Sequence, residues 1–228
     1  MGEERLTTLA KRLRPFFGGQ IGAMAAAGAL MDEGPGIDLI GKVIGFGGDT
    51  VLVYHTAGNP VTEYAFTAVG LAAALAAATS GEWVRINAAG SITGNFTVPA
   101  GVVLITDSQI QTTIIGTITL GAGAVIFNLN IAAVANDANA LYGVLGSTGA
   151  VSYLFDCNVH ATQSGAGNAY AVGAINGHAV GDGDVYVYRC RLHGISVGGS
   201  GYAARSTAGL FKMWHGSAYG STARWVQV

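Results

Sequence analysis

Two short segments of this chain place a cysteine and a histidine three positions apart, a spacing that serves metal chemistry. Residues 153–160 read YLFDCNVH and residues 186–193 read YVYRCRLH. Cys157, His160, Cys190 and His193 form a nominal Cys2His2 set, whose ligands would have to converge within about 2.3 Å of one zinc ion. Alternation along a strand opposes that convergence. In the first segment Tyr153, Phe155, Cys157 and Val159 share one face, and Leu154, Asp156, Asn158 and His160 share the other. In the second, Tyr186, Tyr188, Cys190 and Leu192 lie opposite Arg189, Arg191 and His193. The favoured reading is a buried Cys157–Cys190 stack flanked by aromatic and aliphatic ladders, the thiols acting as small hydrophobes. A disulfide and a metal site are the alternatives. The opposite face sets Asp156 beside Arg189, Asn158 beside Arg191 and His160 over His193. That face suits cross-strand ion pairing and a pH-sensitive or glycan-facing spot, or simply solvent.

Other chemistry-bearing residues are sparse. GDGD at 181–184 holds Asp182 and Asp184 in a Gly-rich loop that reads as a turn or, with further oxygen ligands, a calcium site. The remaining coil-region carboxylates, Glu82, Asp107, Asp137 and Asp156, are scattered among turns and strands. Glycosidases need two carboxylates at a set separation, and no such pair is legible. No phosphate-binding loop, nucleophile elbow or HExxH occurs. Near the end stand Tyr202, Arg205, Phe211, Lys212, Trp214, His215, Tyr219, Arg224 and Trp225. Aromatic and basic groups together suit sugar or protein contacts; core and interface packing is the plainer use. The candidate recognition surface is therefore His160, Arg189, Arg191, His193, Trp214 and Trp225. No catalytic, metal or cofactor site is assigned.

The elements that position these residues are repeats. VIFNLNIA at 125–132 keeps the pattern of the two Cys segments with Leu129 in place of Cys, and Phe127, Phe155 and Tyr188 follow at offsets of 28 and 33. A parallel track, NALYGVL, NAYAVGA and GYAARST, aligns on Tyr142, Tyr170 and Tyr202 at offsets of 28 and 32. Two tracks of nearly one period predict stacked coils, not an ordinary globule. From residue 82 onward the chain reads as short β-rich runs between Gly, Asn, Asp or Pro turns: WVRI, GSITG, NFTV, GVVLIT, TTIIGTITL and AVIFNLNI. Tight hairpin signals are few. A parallel β-helix of roughly five to six coils accommodates this. FTAVGLAAALAAAT at 66–79 predicts a helix with a Val69, Leu71, Leu75 stripe, placed to cap the open N-terminal end of the stack.

The order of Ala-rich helix, SGEWVRI and GSITGNFTVPAGVVL, over about residues 66–105, resembles the N-terminal turn of right-handed parallel β-helix proteins, the pectate-lyase-like group. No catalytic motif of that group's lyases is present. The resemblance implies an all-β fold, a right-handed single-stranded parallel β-helix with an N-terminal helix and a Gly-rich arm. The arrangement as a whole also resembles phage tail fibres, tailspikes and other virion-surface proteins. It implies a non-enzymatic structural or adhesive role on a virus particle, trimeric packing, and a host-surface glycan as a possible ligand class. A polysaccharide-degrading lyase or hydrolase and a secreted adhesin are the competing readings.

Composition fits extensive burial between chains. Charged residues make up 11% of the 228, hydrophobic residues 50%, and mean hydropathy is +0.44. Charged residues normally supply roughly 25%, so this surface has little to keep it apart from partners. The net charge of −2 gives no general nucleic-acid footprint. No run approaches the roughly 18–20 apolar residues of a membrane span. The stretch KRLRPFFGGQIGAMAAAGAL imitates a signal peptide only weakly, being interrupted by Gly and Gln. Residues 3–15 predict an amphipathic helix with Leu6, Leu9 and Leu13 on one stripe and Arg5, Lys11, Arg12 and Arg14 mostly off it. Arg5, Leu6, Leu9, Arg12 and Leu13 are the candidate docking residues; a plain surface helix and a membrane-surface helix are the alternatives. The expected division is an assembly arm, 1–60, carrying strands at VIGF (43–46) and TVLVYHT (50–56), and a β-helix, 61–228.

Overall fold

The structure, a computed structural model, describes residues 49–55, 61–106, 112–146, 151–174, 184–206 and 211–221. The helix expected at 3–15, the VIGF strand, Asp107, Asp182, Arg224 and Trp225 lie outside the described residues. The chain divides into two units at Gly48/Asp49. The TVLVYHT run, counted with the arm in the sequence, forms β1 (Thr50–Tyr54) and belongs to the second unit, where it pairs antiparallel with both β2 (Thr62–Ala65) and β3 (Trp83–Asn87).

Between β2 and β3 lies α1 (Ala68–Ala77). Thr67 caps it, its side chain accepting from the Gly70 amide at 3.0 Å, which satisfies one of the unpaired first-turn donors. Leu71, Ala74 and Leu75 are buried while Val69 is 80% exposed. The buried stripe therefore omits Val69, which the sequence had included. Gly70 is buried where the helix meets β2, and a Cβ there would run into the carbonyl oxygen of Ala65.

From β3 onward the described residues form only strands and their connections, and the chain visits three sheets in strict rotation. The first circuit is β3, β4 (Gly90–Thr93) and β5 (Phe96–Val98). The second is β6 (Val103–Thr106), β7 (Thr112–Ile115) and β8 (Ile118–Leu120). The third is β9 (Val125–Phe127), β10 (Asn130–Ala135) and β11 (Leu141–Gly146). The fourth is β12 (Ser152–Phe155), β13 (Asn158–Gln163) and β14 (Ala169–Ala174). The fifth is β15 (Val185–Tyr188), β16 (Arg191–Ser196) and β17 (Gly201–Ser206). β18 (Phe211–Trp214) and β19 (Ser217–Gly220) begin a sixth. From β3 to β16 each strand pairs in parallel with the strand three places later. The first sheet holds β3, β6, β9, β12, β15 and β18, extended by β1 and β2; the second runs from β4 to β19 and the third from β5 to β17.

The register is the one the repeats define. Phe127, Phe155 and Tyr188 are partners, as are Tyr142, Tyr170 and Tyr202. Along each strand, alternate side chains turn inward into one hydrophobic core, with Leu104, Ile114, Ile118, Leu120, Ile126, Ile131, Leu154 and Leu192 fully enclosed.

The corner between the first and second sheets overturns one expectation. Asn128, Asp156, Arg189 and His215 all have left-handed backbone, with φ between 52° and 56°. They stack on one another, one per circuit. A single left-handed residue reverses the alternation, so the parity before the corner does not carry past it. Leu154 points inward before the corner and Cys157 after it; Tyr153 and Phe155 point outward. The aromatics therefore do not flank the cysteines in the core. They lie on the outer face of the first sheet, on the same side of the strand as Asp156.

Candidate functional site

Inside that corner, Leu129, Cys157 and Cys190 form one buried column. The Cys157 amide donates to Cys190 Sγ at 3.2 Å, and each thiol lies 3.2 Å from the carbonyl oxygen two residues earlier, Phe155 and Tyr188 respectively. Both cysteines are free. Burial pushes the Cys157 thiol well above its ordinary pKa, with the neighbouring Cys190 adding to the shift, so it is held as an inert packing group. His160 and His193 point outward, on the far side from the thiols. Among the described residues no three of His, Cys, Asp and Glu are grouped to hold a metal ion.

Three outward features cross the corner. On the first sheet, Phe127, Phe155, Tyr188 and Trp214 form a continuous stack, with centroids 4.6, 4.8 and 4.5 Å apart and planes within 10°. Beside it Tyr153 meets Tyr186 edge-on at 5.8 Å, and Lys212 Nζ sits 5.2 Å over the Tyr186 ring. At the corner itself Arg189 Nε and Nη2 donate to the two Asp156 oxygens at 2.7 and 2.6 Å. That two-pronged geometry is the strongest form of the pair, although both side chains remain largely in solvent. Asp156 raises the Arg189 pKa by accepting those hydrogen bonds. On the second sheet His160 stacks on His193 at 4.4 Å, and Tyr219 leans over His193 at 5.8 Å. The imidazole planes are only 27° apart, so their lone pairs run side by side and do not converge on a shared ion. Partial burial, and then the neighbouring His193, hold the His160 pKa below its ordinary value. Arg191 lies between corner and histidines, exposed, in register with Asn158 and Ser217.

The structure thus brings together His160, Arg189, Arg191, His193 and Trp214 on adjoining outward columns of neighbouring circuits. Trp225 and the docking residues Arg5, Leu6, Leu9, Arg12 and Leu13 lie outside the described residues. The sequence named Lys212, His215 and Tyr219 without placing them in the repeat. FKMWHGSAY at 211–219 is a further copy, with Trp214 at the Tyr188 position and Gly216 at the Cys190 position. Replacement of Tyr, Cys and His by Lys, Gly and Tyr conceals it.

The scattered carboxylates have individual structural work. Glu82 accepts from the Thr79 amide and meets His55 Nδ1 at 2.9 Å; the Thr79 amide first, then His55, draw its pKa down. Asp137 accepts from the Asn139 amide and from Gln163 Nε2, and its pKa is lowered chiefly by the Asn139 amide. Gln163, fully buried, also accepts from the Asp137 and Gly165 amides and donates to the Asn139 carbonyl, which ties together the loops linking the second and third sheets. On the third sheet Tyr142, Tyr170 and Tyr202 stack at 5.0 and 5.1 Å. Arg205 lies over the Tyr170 ring and donates to Tyr142 Oη at 2.9 Å.

Fold and surface together define an all-β protein of in-register parallel circuits whose outer columns are ladders of like side chains. Comparison of the chain with protein-family models, with curated proteins and with solved structures finds no match in any of the three. Among the described residues no helix is long and apolar enough to cross a membrane.

Proposed function

We propose that the rotating circuits form a right-handed, single-stranded parallel β-helix of the pectate-lyase-like kind. In this reading the protein is a non-enzymatic structural or adhesive part of a virus particle, such as a phage tail fibre or tailspike. The observation that carries it is the outward ladder from Phe127 to Trp214. Rings stacked this closely direct their faces at one another and only their edges at solvent. Such a column stabilises a long shaft and offers no platform for distorting a bound sugar. The engaged states of Glu82, Asp137 and Asp156 point the same way, because each carboxylate is held by partners in its own chain. The segment before β1 docks on the particle in this reading, and the low charge content fits shafts that pack as a homotrimer.

Light scattering coupled to size exclusion, followed by negative-stain microscopy, tests the proposal. The expected result is an elongated trimer, and antibody against the circuit region labels intact particles at a projecting appendage. A stable monomer, or depolymerisation of bacterial polysaccharide by the purified protein, overturns it.

A further inference from the structure

Charge along the stack is unevenly placed. Among the described residues past β3, every Arg and Lys lies in the last two circuits: Arg189, Arg191, Arg205 and Lys212. Three of these, Arg189, Arg191 and Lys212, stand on outward columns around the corner between the first and second sheets, with His193 and His215 among them. Arg189 has its fork filled by Asp156 from the preceding circuit. Arg191, two residues on, has Asn158 at the equivalent place below it and makes no ion pair among the described residues. One guanidinium therefore holds a carboxylate from its own chain, and its neighbour, also exposed, presents an open fork.

We infer that this corner binds an acidic polysaccharide, taking a carboxylate or sulfate on the open fork of Arg191, and that Asp156 is a built-in competitor occupying the second anion position on Arg189. The inference rests on the adhesive half of the proposed function. An anionic sugar chain fits better than a nucleic acid, because the ring faces that would stack bases are used up within the ladder. Asn158, Ser217, His193 and the Tyr188 hydroxyl, on the same columns, supply hydrogen-bonding partners for a hydroxyl-rich chain.

Biolayer interferometry of the full-length protein against immobilised heparin, polygalacturonate, neutral dextran and single-stranded DNA tests it. Wild type is expected to bind heparin or polygalacturonate, not dextran, at about 50 mM NaCl and to be released by about 0.5 M. Arg191→Gln is expected to weaken binding at least about threefold, and Asp156→Asn to strengthen it about two- to fivefold by freeing Arg189. Asn tolerates left-handed backbone, so Asp156→Asn keeps the corner; matched melting curves verify the fold of both variants. Loss of affinity in Asp156→Asn, no binding of either acidic polysaccharide, or tighter binding to DNA overturns the inference. None of these outcomes depends on the trimer, so the two readings fail separately.

Discussion

At the scale of single residues, the corner between the first and second sheets rests on backbone that most L-residues avoid. Asn128, Asp156, Arg189 and His215 share that left-handed geometry, and the amide of each of the first three donates to the carbonyl of Phe155, Tyr188 or Trp214 in the next circuit. Asn128→Val is expected to lower stability by about 1–2 kcal/mol, since the branched side chain is penalised there, while Asn128→Gly stays close to wild type; urea denaturation measures both. Equal stability of the two variants would refute the assignment. The corner also explains why the sequence misled on parity. Asn, Asp and His are the side chains most often found with left-handed backbone, but Arg189 breaks the pattern, and the residue types alone predict unbroken alternation through the corner. The stacking of Cys157 on Cys190 and the opposite placement of His160 survived because both follow the corner. His160 carries a second expectation. A histidine whose folded pKa lies below its ordinary 6.5 binds fewer protons folded than unfolded. The stability it confers is present above about pH 6.5 and is lost as pH falls through the folded value. Melting temperature is expected to fall on acidification below that point, and His160→Asn should flatten the decline. Glu82, whose pKa is lowered from 4.5, adds a separate loss at more acidic pH.

Strands here are only three to six residues long in the circuits, too short to be stable singly, and the ladders unite them. Phe155 is stacked from both sides, by Phe127 and by Tyr188, whereas Phe127 has one ring partner among the described residues. Phe155→Ala is expected to cost about 1–3 kcal/mol and Phe127→Ala roughly half as much, measured by chemical denaturation; equal costs would mean that burial, not stacking, sets the effect. Strand existence was well marked by the β-rich runs between Gly and Asn turns. Strand division was not. TTIIGTITL splits into β7 and β8 at Gly116, where φ is 146°, and AVIFNLNI splits into β9 and β10 at Asn128. Uninterrupted apolar composition says nothing about a bend that keeps apolar groups inward on both sides of it. In α1 the error was smaller: an all-apolar helix has no polar face to fix its rotation, so Val69 and Ala74 exchange places.

For the molecule as a whole, each circuit pairs its strands with adjacent circuits, and Arg205 reaches one circuit further, to Tyr142, which makes the stack nearly one-dimensional. Excision of residues 153–185 removes one period of 33, the offset between Tyr153 and Tyr186, and sets β15 onto β9 in proper register. The shortened protein is expected to fold cooperatively with a smaller denaturant m-value, because it buries less surface. Loss of cooperative unfolding in the shortened protein would contradict this picture. The repeats made this organisation legible from 125 onward; before that, circuits of 20 and 22 residues between partner positions carry no shared side-chain signature to align. The hydrogen bonds that join circuits run along the stacking direction, while the covalent chain runs across it. Tension along the stack therefore falls on one pair of edge strands at a time. Drawn from its last strand, the protein would give way as knitted fabric does, row by row, the third- and fourth-circuit rows of 28 and 33 residues each paying out roughly 100 Å of chain while the rows beneath stay intact.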